Sequence, residues 1–143
     1  MQTQNLGFLL TDIIRLMRRE YTKSDLEMTP MQARALVYVA RSEGIRQVAL
    51  AEMLDIQPIT LARLIDQLAQ DNLVERRPDP TDRRAYGLYL TDQACPLLEK
   101  IDEEVKRVQE KALQGLTEEQ ASAMLNALLI VHTNLSTDLP NID

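Results

Sequence analysis

The sequence contains few of the residues that build disulfide-stapled, membrane-spanning or phosphate-cradling proteins. Its 143 residues include one cysteine, so an intrachain disulfide is excluded. The longest apolar run, Ala35–Ala40, is far shorter than the roughly 20 residues that a membrane-spanning helix needs. Only four glycines are present, and none belongs to a phosphate-binding loop. Met1–Asn5 also lacks the basic and apolar pattern of a signal peptide. We therefore expect a soluble, cytoplasmic protein.

Residues suited to catalysis or metal binding are equally scarce. His132 is the one histidine and Cys95 the one cysteine, too few for a structural zinc site. His132 shares a helical face with Leu128 and Leu135, which favours a core or interface position over a ligand contact. A lone cysteine is most often a small core residue. No Ser-His-Asp arrangement has local support, so we expect no catalytic residue, metal or cofactor, and no enzyme.

Positive charge is in deficit overall but is unevenly distributed. The chain has 16 basic and 22 acidic residues, a net charge of -6. Residues 31–93 carry eight basic side chains, all of them arginine, against nine acidic ones, whereas residues 94–143 carry four against nine. Arginine forms bidentate contacts with phosphate and guanine. The middle of the chain is therefore a candidate for nucleic-acid binding, and a merely solvated acidic surface at the C-terminal end is the plain alternative.

Helical periodicity dominates the chain and is interrupted by one pattern of period two. Helix starts are marked by capping boxes at Thr29 and Thr117. Thr91 is predicted to cap the long helix that ends near Gly115. The predicted elements are helices over 5–21, from Thr29 to Gly44, over 47–54 and over 58–71, strands Leu73–Arg77 and Tyr86–Leu90 around the turn 78–82, and two C-terminal helices.

The segment Val48–Leu68 has the spacing of a helix-turn-helix motif. Asp55 occupies the tight turn, where its short polar side chain tolerates a left-handed conformation. A hairpin that directly follows such a motif predicts a winged helix, in a mainly α fold with a small β-hairpin wing. The apolar residues at the helix crossing are Leu50, Ala51, Leu54, Ile56, Leu61 and Leu64.

The second helix of this motif has one apolar and one exposed face. Arg63 lies near its N-terminal end, where an arginine can bond guanine O6 and N7 together. The alternative is an intrahelical ion pair between Arg63 and Asp66. The buried face is predicted to hold Leu61, Leu64, Ile65 and Leu68, and the exposed face Ile59, Thr60, Arg63, Asp66 and Gln67.

Four arginines fall within nine residues of the predicted hairpin. Arginine at a hairpin tip suits a narrow, electronegative minor groove. Asp79 and Asp82 would repel phosphate unless they pair with neighbouring arginines and set the shape of the loop. A solvated charged turn is the alternative. The four residues are Arg76, Arg77, Arg83 and Arg84.

The run Asp79-Pro80-Thr81-Asp82-Arg83-Arg84, followed by Leu90-Thr91, resembles the wing signature of the MarR/SlyA family of winged-helix regulators. Thr29–Gln32 and Leu50–Glu52 are similar to the family as well, whereas Ala94 replaces a common glycine. The resemblance covers essentially the whole chain. It implies a sequence-specific transcriptional regulator of double-stranded DNA, expected to be a repressor, that reads a pseudo-palindromic operator as a homodimer. A winged-helix module for protein–protein contact is the alternative function.

The resemblance also implies a division of the single domain 1–143 and roles for its residues. Residues 30–91 would form the DNA-binding lobe, and residues 5–21 and 92–138 the dimerisation region, with a small aromatic or phenolic effector in the cleft between them. Asp79 and Asp82 would stabilise the wing, Asp82 through an ion pair. The expected DNA contacts are Gln57, Ile59, Thr60, Arg63, Gln67, Arg76, Arg77, Arg83 and Arg84, and the expected dimer contacts are Leu9, Ile13, Leu16, Leu128, Val131 and Leu135.

Overall fold

The computed structural model describes residues 5–136, which form six helices and one hairpin in the predicted order. The predicted fold class is confirmed. Residues 137 and 138 of the predicted dimerisation region lie outside the described part. The elements are α1 Leu6–Tyr21, α2 Pro30–Arg41, α3 Gln47–Leu54, α4 Pro58–Gln70, β1 Val74–Pro78, β2 Tyr86–Leu90, α5 Ala94–Ala112 and α6 Glu118–Ser136.

The central lobe packs α2, α3, α4 and the hairpin around one apolar core. The turn between α3 and α4 depends on Asp55, whose left-handed backbone (φ 52°, ψ 48°) ends α3. The predicted left-handed turn is therefore confirmed, and it lets the apolar faces of α3 and α4 meet. Side chains at the centre of this core include Leu36, Leu50, Leu61, Ile65, Leu68 and Leu88.

Two of the predicted helix starts are confirmed by reciprocal hydrogen bonds. The backbone N–H of Gln32 donates to Thr29 Oγ1 at 3.1 Å, and Gln32 Oε1 accepts from the Thr29 N–H at 2.9 Å. Thr117 and Gln120 repeat this arrangement at 3.1 and 3.0 Å. Each pair satisfies a backbone donor that the first turn leaves free, so the two helices start where the sequence predicts.

The predicted cap at Thr91 is wrong. α5 begins three residues later, at Ala94, with Gln93 as its N-cap residue. The Thr91 hydroxyl donates instead to the carbonyl oxygen of Asn72, and the Thr91 N–H donates to the carbonyl oxygen of Leu73 at 3.0 Å. Thr91 therefore closes the base of the hairpin, because these partners lie across the strands and outcompete a local capping bond.

The hairpin is joined to the end of α2 by a short third segment. The Gly44 N–H donates to the carbonyl of Leu88 at 2.8 Å, and the Leu88 N–H donates to the carbonyl of Ile45 at 2.9 Å. Gly87 makes this approach possible, because a Cβ atom there would lie 2.9 Å from the Gly44 carbonyl oxygen. The position of the wing is therefore set by the lobe and not only by its own turn.

Helices α1 and α6 are packed less deeply than the helices of the central lobe. Neither α1 nor α6 contains a buried residue, although both carry many apolar side chains. Cys95 is exposed on α5, so its expected core position is wrong. His132 is exposed on α6, so it is not a core residue. Its expected alternative position, at an interface, stays a prediction. Across residues 5–136, no helix combines the length and apolarity that crossing a membrane requires.

Candidate nucleic-acid interface

Helix α4 has one buried and one exposed face, as the sequence predicts. Leu61, Ile65 and Leu68 are buried, while the opposite side of the helix is open to solvent. Ile59 is 66% exposed, so its apolar side chain is available to a ligand. The other exposed residues at this face are Gln57, Thr60, Arg63, Asp66 and Gln67.

The predicted alternative for Arg63, an ion pair with Asp66, is absent from the described residues. Arg76 Nη2 lies 2.7 Å from Asp66 Oδ1 and takes that carboxylate. No carboxylate of residues 5–136 pairs with Arg63. The Arg63 guanidinium therefore keeps its donors available to a ligand.

Two wing arginines are engaged by the protein itself. The Nε–H of Arg76 donates to Gln47 Oε1 at 2.7 Å, in addition to its bond with Asp66. Arg77 pairs with Glu75, and its guanidinium lies 4.3 Å from the centre of the Tyr89 ring, a cation–π contact. Both side chains are thus held on the strands of the wing.

Asp79 organises the turn of the wing. Its Oδ1 accepts from the Thr81 hydroxyl at 2.7 Å and from the Thr81 N–H at 2.8 Å. Its Oδ2 accepts from Arg46 Nη2 at 3.0 Å. These donors hold the pKa of the Asp79 carboxyl well below its usual range. The carboxylate stays ionised and ties the turn to the start of α3.

The ion pair expected at Asp82 is not formed within the described chain. Asp82 Oδ1 accepts a hydrogen bond from the backbone N–H of Arg84 at 3.0 Å and closes a local turn. Within residues 5–136, neither Arg83 nor Arg84 has a carboxylate partner. A backbone N–H two residues away competes well with a mobile guanidinium, which explains the difference. The wing tip therefore projects two cations that no described carboxylate neutralises.

Arg46 and Gln47 were missed by the sequence reasoning. They stand at the start of α3, yet they bind Asp79 and Arg76, which lie 33 and 29 residues further along the chain. No local spacing signals a contact of this kind, since it depends on how the hairpin folds back. The complementary charges of Arg46 and Asp79 were the one available hint.

A cleft lies between the central lobe and helices α1 and α5. This cleft has a volume of about 450 Å³ and is lined by α1, α2, α5 and the loop before α2. Arg34 lies 5.5 Å from the centre of the Tyr38 ring within it. Burial raises the pKa of the Tyr21 hydroxyl, which stays a neutral donor. The apolar lining includes Ile14, Met17, Leu26, Met31, Val37 and Ile101, and the cationic lining Arg18, Arg34 and Arg41.

A helix-turn-helix followed by an arginine-tipped hairpin defines a winged helix-turn-helix protein. Residues 26–85, which span α2 to the wing tip, match the MarR family model. Over this segment, 60 of its 143 residues, the chain is similar to the MarR family, which its wing signature also resembles.

Relatives and solved structures are similar to the chain over more of its length. A protein of Thauera aromatica, named for transcriptional regulation of the hcr operon, is 28% identical over 101 residues. The match covers 71% of this chain but only 61% of that relative. The crystal structure of MarR superposes with a TM-score of 0.85 at 25% identity, over 94% of both chains. A cysteine-to-serine mutant of MarR from E. coli, complexed with operator DNA, gives a TM-score of 0.76 at 25% identity over 88% of this chain and 92% of that one.

Proposed function

We propose that this protein is a sequence-specific DNA-binding transcriptional regulator, a repressor that acts in the cytoplasm on a pseudo-palindromic operator. The observation that carries the proposal is the presence of two available cationic elements in one lobe. Among the described residues, no carboxylate pairs with Arg63 on the exposed face of α4, or with Arg83 and Arg84 at the wing tip. The operator complex of the E. coli MarR mutant supports this reading by similarity.

The two elements would read different features of the duplex. Arg63 would bond a guanine edge in the major groove, with Gln57, Thr60 and Gln67 as polar neighbours. Ile59 would contact a thymine methyl group. Arg83 and Arg84 would enter the minor groove or contact its phosphates. Arg76 and Arg77, expected as DNA contacts, are assigned to holding the interface in shape because the protein already binds them.

A homodimer is part of this proposal. Many apolar side chains of α1 and α6 are exposed in the described chain, and a pseudo-palindrome requires two lobes. Leu9, Ile13 and Leu16 are each at least 40% exposed, and Leu135 is 77% exposed. Leu128 and Val131 are half-buried, so the neighbouring Leu129 and Ile130 offer more surface than the helical pattern indicated.

The cleft beside α2 supports a small aromatic acid or phenol as effector. Its lining combines an apolar floor with three arginines that suit a carboxylate, and its one acidic residue, Glu104, is paired with Arg107. Because α1 and α5 form one wall and α2 the other, an occupant would change the position of the lobe relative to the outer helices.

The direct test is selection of bound duplexes from a genomic library by the full chain, followed by mobility shifts over a salt series. We expect one preferred sequence of two-fold symmetry and a steep loss of affinity with salt. Binding that is weak and indifferent to sequence would contradict the proposal. In that case the winged-helix lobe would be a module for protein–protein contact.

A further inference from the structure

The exposed face of α4 contains an acidic residue whose negative charge would oppose DNA binding. Asp66 lies three residues after Arg63 and its side chain is 67% exposed. At this spacing two helical side chains are neighbours and can form an ion pair. Such a pair would occupy the Arg63 guanidinium, and an unneutralised carboxylate beside it would repel phosphate.

The structure resolves this conflict through Arg76. Its guanidinium bonds Asp66 Oδ1 and Gln47 Oε1, both at 2.7 Å, so it links β1 to α4 and to α3. The Arg76 side chain is 31% exposed, about half as much as its partner. Two acceptors and partial burial restrain this guanidinium more than a single exposed pair would.

We infer that Arg76 is a positioning residue, which sequesters Asp66 so that Arg63 stays free to read a base. The inference rests on the proposed function, because it concerns how the same face binds DNA. It differs from the expectation that Arg76 itself contacts phosphate. Removal of Arg76 would leave Asp66 able to pair with Arg63 on the same helix. The loss of DNA affinity would then appear at the base that Arg63 contacts.

The test compares Arg76→Ala, Asp66→Asn and the double variant on the selected operator and on a duplex altered at the guanine read by Arg63. Arg76→Ala should weaken operator binding by about tenfold, the scale of one lost base contact, and reduce discrimination at that guanine. Asp66→Asn in the same chain should restore both, to within about threefold of Asp66→Asn alone. In an Arg63→Ala background, Arg76→Ala should add little.

A second readout needs no DNA. The Arg63 Nε–H resonance in nuclear magnetic resonance spectra should shift in Arg76→Ala and return in the double variant. Thermal unfolding of each variant, with Arg76→Gln as a less disruptive alternative, separates this effect from misfolding. A double variant as weak as Arg76→Ala, with an unmoved Arg63 signal, would overturn the inference and leave the proposed function intact. A wild-type chain that selects no duplex would overturn both.

Discussion

The arginines of the central lobe differ in whether a carboxylate of the protein already pairs with them. Arg46, Arg76 and Arg77 are bound by carboxylates of the wing or of α4. Arg63 and Arg84 have no such partner among the described residues. Since a guanidinium already held by an acceptor gains less from a phosphate or a base, we assign Arg63 and Arg84 to DNA.

Arg63→Ala should remove one base contact in each half-site. We expect a loss of about 1–3 kcal/mol per half-site and relaxed preference at one symmetric base position. The free energy of unfolding should stay within about 0.5 kcal/mol of wild type, because the side chain is exposed and makes no ion pair within residues 5–136. Quantitative binding to the operator and to its single-base variants measures the effect. Lys100→Ala, at an exposed position on α5, is the control, and equal losses in the two variants would contradict the assignment.

Arg84→Ala should act differently, because groove shape and phosphate carry little sequence information. We expect weaker binding to many duplexes and a salt slope reduced by roughly one phosphate equivalent per subunit. Stability should again stay within about 0.5 kcal/mol of wild type. Affinity titrations at several salt concentrations provide the measurement. Unchanged operator affinity at physiological salt would show that the wing does not touch DNA.

At the scale of elements, ionic contacts join the end of α1 to α5. Glu20 Oε1 accepts from Lys23 Nζ at 2.8 Å and from Lys111 Nζ at 2.9 Å, and Arg107 Nη2 donates to the Glu20 carbonyl at 2.9 Å. The ammonium groups of Lys23 and Lys111 lower the pKa of Glu20 from 4.5 to about 2. α1 is therefore fixed against α5 by charge as well as by apolar packing.

This lowered pKa gives a pH-dependent prediction. A carboxyl whose folded pKa is depressed stabilises the protein above its unfolded pKa, and that contribution is lost as the pH falls. Wild type should therefore unfold at a higher temperature than Glu20→Gln at pH 7, and the gap should narrow as the pH falls from about 4.5 towards about 2. Thermal scans between pH 7 and pH 3 measure the gap. Glu27→Gln, at an exposed carboxyl with no ion pair among the described residues, is the control variant, and a constant gap for Glu20→Gln would contradict the prediction.

At the scale of the whole molecule, the exposed apolar faces of α1 and α6 predict self-association. Sedimentation at micromolar concentration should show a homodimer for the wild-type chain. Ile13→Glu places a charge on the exposed apolar face of α1 and should shift the population towards monomer. Val48→Glu, at an exposed apolar position on α3, should remain dimeric. A folded wild-type monomer would contradict the prediction.

The cleft predicts coupling between an aromatic ligand and DNA affinity. A panel of benzoate, hydroxybenzoates and phenols should contain a compound that weakens operator binding by about 1–3 kcal/mol, the usual size of allosteric linkage. Arg34→Ala should reduce that coupling, because it removes a cation from the cleft, whereas Arg19→Ala, outside the lining, should retain it. Mobility shifts with and without each compound measure the change. Operator affinity that no compound alters would count against the effector.

The sequence alone determined the elements and much of the proposed interface. The capping boxes at Thr29 and Thr117, the turn at Asp55 and the apolar face of α4 follow from short-range hydrogen bonds, backbone sterics and helical spacing, all of which are local. The resemblance of the wing to the MarR family rests on the same local basis. These features could be read from consecutive residues because their physical causes operate within a few residues.

Only the tertiary structure decided which charged groups are free. The bonds of Arg46 with Asp79, of Arg76 with Asp66 and Gln47, and of Thr91 with Asn72 join residues that are 10 to 33 positions apart. The bonds of Arg46 and Arg76 exist because the hairpin folds back on the lobe, an approach that Gly87 permits at the Gly44 backbone, and the bond of Thr91 exists because the two strands pair. Partner choice among several nearby charges depends on distances of a few ångströms, which side-chain spacing along the sequence does not encode.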